Sequence, residues 1–196
     1  TDETLYDVAN VALAEGKLAT ATTKNVGKAV MGLTAESFVN NDNNFTVAFT
    51  VTDGYSEVTP KAISVAVSGN NASAIYDGTD HVVTGFTAMT DETLYDVANV
   101  ALAEGKLATA TTKNVAKVMM NLTEASFVNN DNNFTVAFTV TDGYSEVTAK
   151  AITVAVSGNN ASATYDGTDH VVTGFTATTD ETLYDVANVA LAEGKL

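Results

Sequence analysis

The stretch from Phe45 to Val58 reads Phe-Thr-Val-Ala-Phe-Thr-Val-Thr-Asp-Gly-Tyr-Ser-Glu-Val. Over residues 45–52, Phe or Val occupies every second position, and Thr or Ala occupies the positions between. This period of two is typical of a half-buried β-strand, because successive side chains of a strand point to opposite faces. Asp53-Gly54 separates this run from a second one, and Asp-Gly between two such runs predicts a β-hairpin.

Further strands follow the same pattern. Residues 62–67 predict a strand with Ile63, Val65 and Val67 on the buried face. Turn signals rich in Asn, Asp and Gly recur between the runs, and about seven short strands fit into 89 residues. We therefore predict an all-β chain in which each domain is a two-sheet antiparallel sandwich.

The segment Thr4–Lys17 allows two interpretations. Helical spacing places Leu5, Val8 and Leu13 on one side, with a glycine as a stop signal. Strand spacing instead points Val11 and Leu13 inward. Both interpretations remain open from the sequence.

The chain repeats itself with a period of 89 residues. The first 18 residues, TDETLYDVANVALAEGKL, return unchanged at 90–107 and again at 179–196. Residues 1–89 and 90–178 differ at 10 positions, so 79 of 89 residues match. Such a period predicts domains built to one plan, and 89 residues suffice for a small domain with its own core.

The best domain boundary lies at Pro60 and its counterpart Ala149, where a predicted strand begins. On this division, residues 1–59 are the C-terminal part of one repeat, residues 60–148 are a complete repeat, and residues 149–196 are the N-terminal part of the next. We therefore expect tandem repeats in an array that is cut mid-unit at both ends.

Composition excludes several classes of protein. The chain has 24 acidic residues, 9 lysines, no arginine and a net charge of -15, which argues against a nucleic-acid partner. It has no cysteine, so disulfides and thiolate sites are excluded. No apolar run approaches the roughly 18–20 residues that a membrane span requires.

A family resemblance rests on the order of several motifs. Residues 68–86 contain Tyr-Asp-Gly-Thr, Val26–Leu33 reads Val-Gly-Lys-Ala-Val-Met-Gly-Leu, and Asn44–Val47 and Val51–Gly54 read Asn-Phe-Thr-Val and Val-Thr-Asp-Gly. This order resembles the YDGT-type (MBG-like, bacterial Ig-like) tandem repeats of large bacterial cell-surface adhesin or fibre proteins. The resemblance covers the whole period and implies an Ig-like module. The second copy departs from the pattern at Ala116, Asn121 and Ala149.

No catalytic or cofactor-binding residues are predicted. His81 and His170 occur once per repeat without a recognisable triad or metal motif, and a polar residue at a strand start explains them. Calcium is the candidate ion, with ordinary solvated turns as the alternative. Its candidate ligands are the aspartates Asp42, Asp77, Asp80, Asp131, Asp166 and Asp169.

Two kinds of covalent modification are also candidates. Asn-x-Ser/Thr triplets, which mark glycosylation sites in secreted proteins, begin at Asn44, Asn71, Asn121, Asn133 and Asn160. Lys61 and Lys150 are candidates for Lys–Asn crosslinks within a domain, with surface lysines as the alternative.

The sequence therefore predicts a non-enzymatic structural repeat of an extracellular, cell-surface or secreted protein that forms a stalk, spacer or filament shaft. The alternative is an adhesive module that binds a glycan or host protein through loops of each repeat. The expected partners are neighbouring repeats, other copies in a fibre, or a surface glycan or protein, with no nucleic acid and no membrane span in this segment.

Overall fold

The computed structural model describes residues 5–194, and its regular structure consists of strands and single 3₁₀ turns. The fold is all-β, as predicted, with several small sheets. The described strands are β1 (Val11–Leu13), β2 (Gly27–Val30), β3 (Phe38–Asn40), β4 (Tyr55–Val58), β5 (Lys61–Gly69), β6 (Asn71–Ile75), β7 (His81–Thr84), β8 (Phe86–Met89), β9 (Val100–Leu102), β10 (Thr109–Thr112), β11 (Ala116–Met119), β12 (Phe127–Asn129), β13 (Phe134–Thr141), β14 (Tyr144–Thr148), β15 (Ala155–Gly158) and β16 (Phe175–Thr178).

The strands pair in small sheets. Two-stranded sheets join β1 to β3, β2 to β4, β7 to β10, β9 to β12 and β15 to β16, and three-stranded sheets have the orders β11-β14-β6 and β13-β5-β8. The pair β14–β6 is parallel, with Tyr144 opposite Asn71. This departs from the antiparallel prediction, and the long connection between the two strands permits it, because only antiparallel neighbours can be joined by a tight turn.

The chain divides into two compact units, and unit 1 contains residues up to 66 together with 88–103 and 127–139. Its core contains Val65, Tyr95, Val100, Phe127 and Phe134. The Tyr95 ring meets the Phe134 ring edge-on at 5.1 Å, and its hydroxyl donates to Oδ1 of Asn129 at 2.9 Å. Burial raises the pKa of Tyr95. Tyr95 thus packs its apolar ring against Phe134 and hydrogen-bonds its polar hydroxyl to Asn129.

Unit 2 contains residues 67–87, 104–126 and those from 140 onward. Its buried apolar residues are Val67, Ala108, Ala110, Met120, Leu122 and Val147. Two buried hydroxyls link its strands: Thr112 Oγ1 donates to the Ser145 carbonyl, and Ser145 Oγ donates to the His81 carbonyl, both at 2.9 Å. In the described part of the chain, no buried side-chain nitrogen or oxygen lacks a partner, as folded cores require.

The strand predicted at residues 62–67 is confirmed. It lies within β5, where Val65 and Val67 are fully buried, Ile63 is half-buried and the residues between are exposed. The alternation predicted for residues 45–52 appears in the second sequence copy, where β13 points Phe134 inward and exposes every second residue. In the first copy the same residues carry no strand assignment.

The hairpin predicted at Asp-Gly is wrong. Asp142-Gly143 connects β13 to β14, but these strands belong to different sheets. Gly143 is buried against the backbone of Gly69, where a Cβ on Gly143 would lie 2.8 Å from the Gly69 carbonyl carbon. Glycine is therefore needed at position 143 because two backbone segments approach each other closely there. Gly143 does not have the positive φ that a type I′ hairpin turn requires.

The ambiguous segment Thr4–Lys17 contains neither a long strand nor an α-helix in its described part, and Thr4 itself lies outside the described residues. Asp7 accepts from the backbone N–H of Ala9 and caps a 3₁₀ turn at Val8–Asn10, and β1 follows directly. The Asp7 side chain thus fixes a tight turn before the strand. Neither the helical nor the strand spacing of this segment predicted that turn.

Candidate functional site

The Asp-Gly-Thr-Asp-His segment forms a turn that is closed by its own side chains. Oδ1 of Asp77 accepts from the backbone N–H and the hydroxyl of Thr79, both at 2.8 Å, and lies 3.0 Å from Nε2 of His81. These donors, led by the Thr79 N–H, lower the pKa of Asp77 to about 2. His81 is the first residue of β7. Its position therefore agrees with the prediction of a polar residue at the start of a strand.

The same turn recurs 89 residues later. Oδ1 of Asp166 accepts from the Thr168 N–H at 3.0 Å and from its hydroxyl at 2.7 Å, and His170 Nε2 lies 3.0 Å away. The Thr168 hydroxyl is the main cause of a lowered pKa of Asp166. Oδ1 of each aspartate is therefore already engaged as a hydrogen-bond acceptor within its own turn.

Two further calcium candidates, Asp42 and Asp131, close the Asn-rich turns in the same way. Oδ1 of Asp131 accepts from the backbone N–H and the side-chain amide of Asn133, both at 2.9 Å, and Asp42 binds Asn44 identically. Asp80 and Asp169 are exposed. Among residues 5–194, no group of three or more His, Cys, Asp or Glu side chains is placed to hold a metal ion.

The two candidate crosslink lysines each contact a glutamate. Lys61 Nζ, at the start of β5, forms an ion pair with Glu92, and Lys150 forms the equivalent pair with Glu181. The lysine side chains are 57% and 43% exposed, whereas the glutamates are 14% and 15% exposed. Contact with the lysine is the main cause that lowers the pKa of each glutamate.

The lysine–glutamate pair of unit 2 borders an apolar cavity of about 200 Å³. Its lining consists of Tyr76, Val115, Ala149, Lys150, Ile152, Glu181, Leu183 and Tyr184. Leu183 also packs near Gly78, where an added Cβ would lie 3.1 Å from the leucine Cδ2. Sequence reasoning missed this cavity, because its lining residues are spread over more than a hundred positions.

The glycosylation candidates differ in accessibility. Asn44, Asn71, Asn121 and Asn160 are exposed, whereas Asn133 is half-buried. The Asn133 amide donates to Asp131, and its Oδ1 accepts from the Val26 backbone N–H at 2.8 Å. A glycan on Asn133 would therefore break hydrogen bonds that order unit 1.

Sequence reasoning also missed the role of the aspartate in each Asp-Gly pair. The Asp142 carboxylate accepts from the backbone N–H groups of Asn121 and Leu122, both at 2.9 Å. Asp53 accepts equivalently from Gly32 and Leu33, and the Leu33 N–H is the main cause that lowers the pKa of Asp53. The constant spacing of 21 residues between Asn121 and Asp142, and between Gly32 and Asp53, is the signal in the sequence.

Comparison with models of protein families, with curated proteins and with solved structures finds no match for the chain. Within the described residues, no helix is both long and apolar enough to cross a bilayer.

Proposed function

We propose that this chain is a section of a non-enzymatic, extracellular array of Ig-like β-sandwich repeats that serves as a stalk, spacer or filament shaft of a surface protein. The observation that carries the proposal is the recurrence of local structure at the sequence period. A spacer needs copies that fold alike, and it needs no reactive site.

Single 3₁₀ turns provide the clearest recurrence. They occupy Val8–Asn10, Val97–Asn99 and Val186–Asn188, and each is capped by the preceding aspartate. Strand registers recur as well: Val11 faces Asn40 in β1–β3, and 89 residues later Val100 faces Asn129 in β9–β12. These turns and registers recur, whereas residues 45–52, 160–164 and 170–173 lack the strand assignments of their counterparts.

Strand pairing supports the division at residues 60 and 149. In the described residues, β1–β4 pair among themselves, β5–β14 pair among themselves, and β15 pairs with β16. Among residues 5–194, every buried apolar residue falls between positions 60 and 148. The stretch proposed as the complete repeat therefore supplies the buried apolar residues of both compact units.

The acidic surface suits an array of near-identical β modules. A net charge of -15 makes copies repel one another, which opposes aggregation through exposed strand edges. The same charge is compatible with a secreted or cell-surface location.

An adhesive module is the second candidate, and the cavity of unit 2 favours it. Two tyrosines, Tyr76 and Tyr184, line this cavity beside the Lys150–Glu181 pair, and binding sites combine aromatic surfaces with a few polar groups. A glycan or a protein loop would be the ligand in that case.

Chains that carry one, two and three further copies of residues 60–148 would test the proposal. A spacer is expected to lengthen by a constant increment per copy in small-angle X-ray scattering, and to retain nothing on a glycan array at any length. If the maximum dimension does not grow with copy number, the spacer proposal fails. Retention of a glycan or a surface protein that rises with copy number would instead support the adhesive module, because repetition increases avidity.

A further inference from the structure

One hydrogen bond inside unit 1 joins two different sequence repeats. Oδ1 of Asn133, in the Asn-rich turn of the complete repeat, accepts from the backbone N–H of Val26 at 2.8 Å. On the division proposed above, Val26 belongs to residues 1–59 and Asn133 to residues 60–148, and 107 positions separate them in the chain. Both residues lie in the same compact unit. The two repeats therefore contact each other there, in addition to being linked by the chain.

Every polar group of Asn133 has a partner. Its backbone N–H and its side-chain amide both donate to Oδ1 of Asp131 at 2.9 Å, and its carbonyl accepts from the Lys61 N–H at 2.9 Å. A carboxylate can only accept and a backbone N–H can only donate. The amide nitrogen must therefore face Asp131 and the amide oxygen must face Val26, so the side chain is already oriented as an acceptor for the other repeat.

The Asn-rich turn at residues 129–134 is anchored to the core of unit 1. The Asn129 amide donates to the carbonyls of Asp131 and Phe134 at 2.7 and 2.9 Å, and its Oδ1 accepts from the Tyr95 hydroxyl. The Phe134 ring, which ends the turn, is buried against the Tyr95 ring. The turn thus presents a fixed surface, because both its backbone and its last side chain are held from the core side.

The loop that meets this turn, residues 23–26, is anchored to its own repeat. The Thr23 hydroxyl donates to the Ser56 carbonyl of β4 at 2.9 Å. β2 begins at Gly27, directly after the loop, and pairs with β4. Val26 itself is half-buried. Both sides of the contact are therefore held in place by the repeat to which they belong.

The connection between the two repeats is short. β4 ends at Val58 and β5 begins at Lys61, so Thr59 and Pro60 alone connect the strands. Proline fixes its own φ, and the residue after it donates its N–H to the Asn133 carbonyl. A short tether keeps the two surfaces at a high effective concentration, so a small contact suffices to hold them together.

We propose that the Asn-rich turn at residues 129–134 is a docking surface for the preceding repeat, and that Asn133 holds the loop 23–26 of that repeat in a fixed position. The inference deepens the proposed function and rests on it, because it takes residues 1–59 and 60–148 as parts of successive repeats. The partner of this surface is a neighbouring repeat of the same chain. A docked joint is stiff, whereas a joint held by its two linker residues alone bends.

Spin labels on Ala35→Cys and Ala98→Cys measure the stiffness of the joint in the full chain. Both alanines are exposed, each lies in one of the two repeats within unit 1, and the chain has no other cysteine. Pulsed electron paramagnetic resonance should give one narrow distance distribution, and Asn133→Ala should at least double its width. Asn44→Ala is the matched control, because Asn44 makes the same two bonds to Asp42 within the turn of the first copy. This control should leave the width unchanged.

A second pair of variants removes the donor and leaves the Asn-rich turn intact. Proline has no backbone N–H, so Val26→Pro should broaden the distribution as Asn133→Ala does. Val115→Pro makes the same change at the matching loop position of the second copy, in unit 2, and should leave the distribution unchanged. Circular dichroism verifies that each variant folds. In amide hydrogen exchange, the Val26 N–H should exchange at least tenfold faster in Asn133→Ala than in the unchanged chain.

Two results would refute the docked joint without affecting the spacer. The first is a broad distance distribution in the unchanged chain, and the second is equal broadening in Asn133→Ala and Asn44→Ala. Repeats that are joined flexibly still lengthen the chain with copy number in small-angle scattering, so the proposed function would survive either result. A maximum dimension that does not grow with copy number would instead refute the spacer, whatever the width of the distribution.

Discussion

Asn121 occupies a backbone conformation that usually requires glycine. Its φ is 61°, and its counterpart in the first sequence copy is Gly32 with a φ of 74°. The residue follows β11, and its backbone N–H donates to Asp142. Asparagine tolerates the left-handed region better than most residues, which explains why this Gly-to-Asn difference between the copies is accommodated.

Replacing Asn121 by alanine should lower the free energy of unfolding by about 1 kcal/mol, because an alanine Cβ is disfavoured at positive φ. Asn121→Gly should leave the stability equal or slightly higher, since the first copy already uses glycine there. Urea unfolding measures both. Asn114, an exposed asparagine outside the positive-φ region, serves as the control, and an equal loss in Asn114→Ala would contradict the explanation.

The Asp77 turn makes a prediction about pH. The folded-state pKa of Asp77 is about 2, below the ordinary value of 3.8. Its stabilising contribution is therefore complete above about pH 3.8 and is lost as the pH falls toward 2. Carbon-detected NMR titration of the Asp77 carboxyl should give a midpoint near 2.

The variant Thr79→Val separates the two donors of that turn. It removes the hydroxyl but keeps the backbone N–H, so the pKa of Asp77 should rise to a value between 2 and 3.8. Thr168→Val should leave the midpoint of Asp77 unchanged. A midpoint at the ordinary value in the unchanged chain would show that the turn does not form in solution.

At the scale of elements, local pattern predicted strands better than it predicted their partners. The alternation of β5 identified its buried face correctly, because side-chain period depends only on neighbouring residues. The pairing of β13 and β14 depends on residues far along the chain, so the Asp-Gly signal between them was misleading. The 3₁₀ turns were missed because a single capped turn has too few residues to show a period.

The two copies of one valine offer an internal comparison of burial. Val67→Ala should lower the free energy of unfolding by about 1–3 kcal/mol, because it removes two buried methyl groups and leaves a cavity. Val156→Ala, at the exposed counterpart, should change it by less than about 0.5 kcal/mol. Chemical denaturation measures both changes. Equal losses would contradict the difference in burial between β5 and β15.

For the whole molecule, the period and the acidic composition were readable from the sequence, whereas the candidate cavity was not. Its lining depends on how Leu183 and Tyr184 approach Tyr76 and Val115, and no local pattern encodes such an approach. Lys61 and Lys150 are crosslink candidates from the sequence, and that role stays a prediction. Their glutamate partners lie 31 residues further along the chain, beyond the reach of any local pattern.

The equal registers of β1–β3 and β9–β12 have a consequence for refolding kinetics. A strand that searches for its partner from the denatured state meets two candidates with the same sequence, one nearby and one 89 residues away. Pairings with the wrong copy form the same hydrogen bonds, and they must dissolve before the correct topology emerges. Near-identity between adjacent copies therefore imposes kinetic traps, and the synthesis of one copy before the next on the ribosome relieves them.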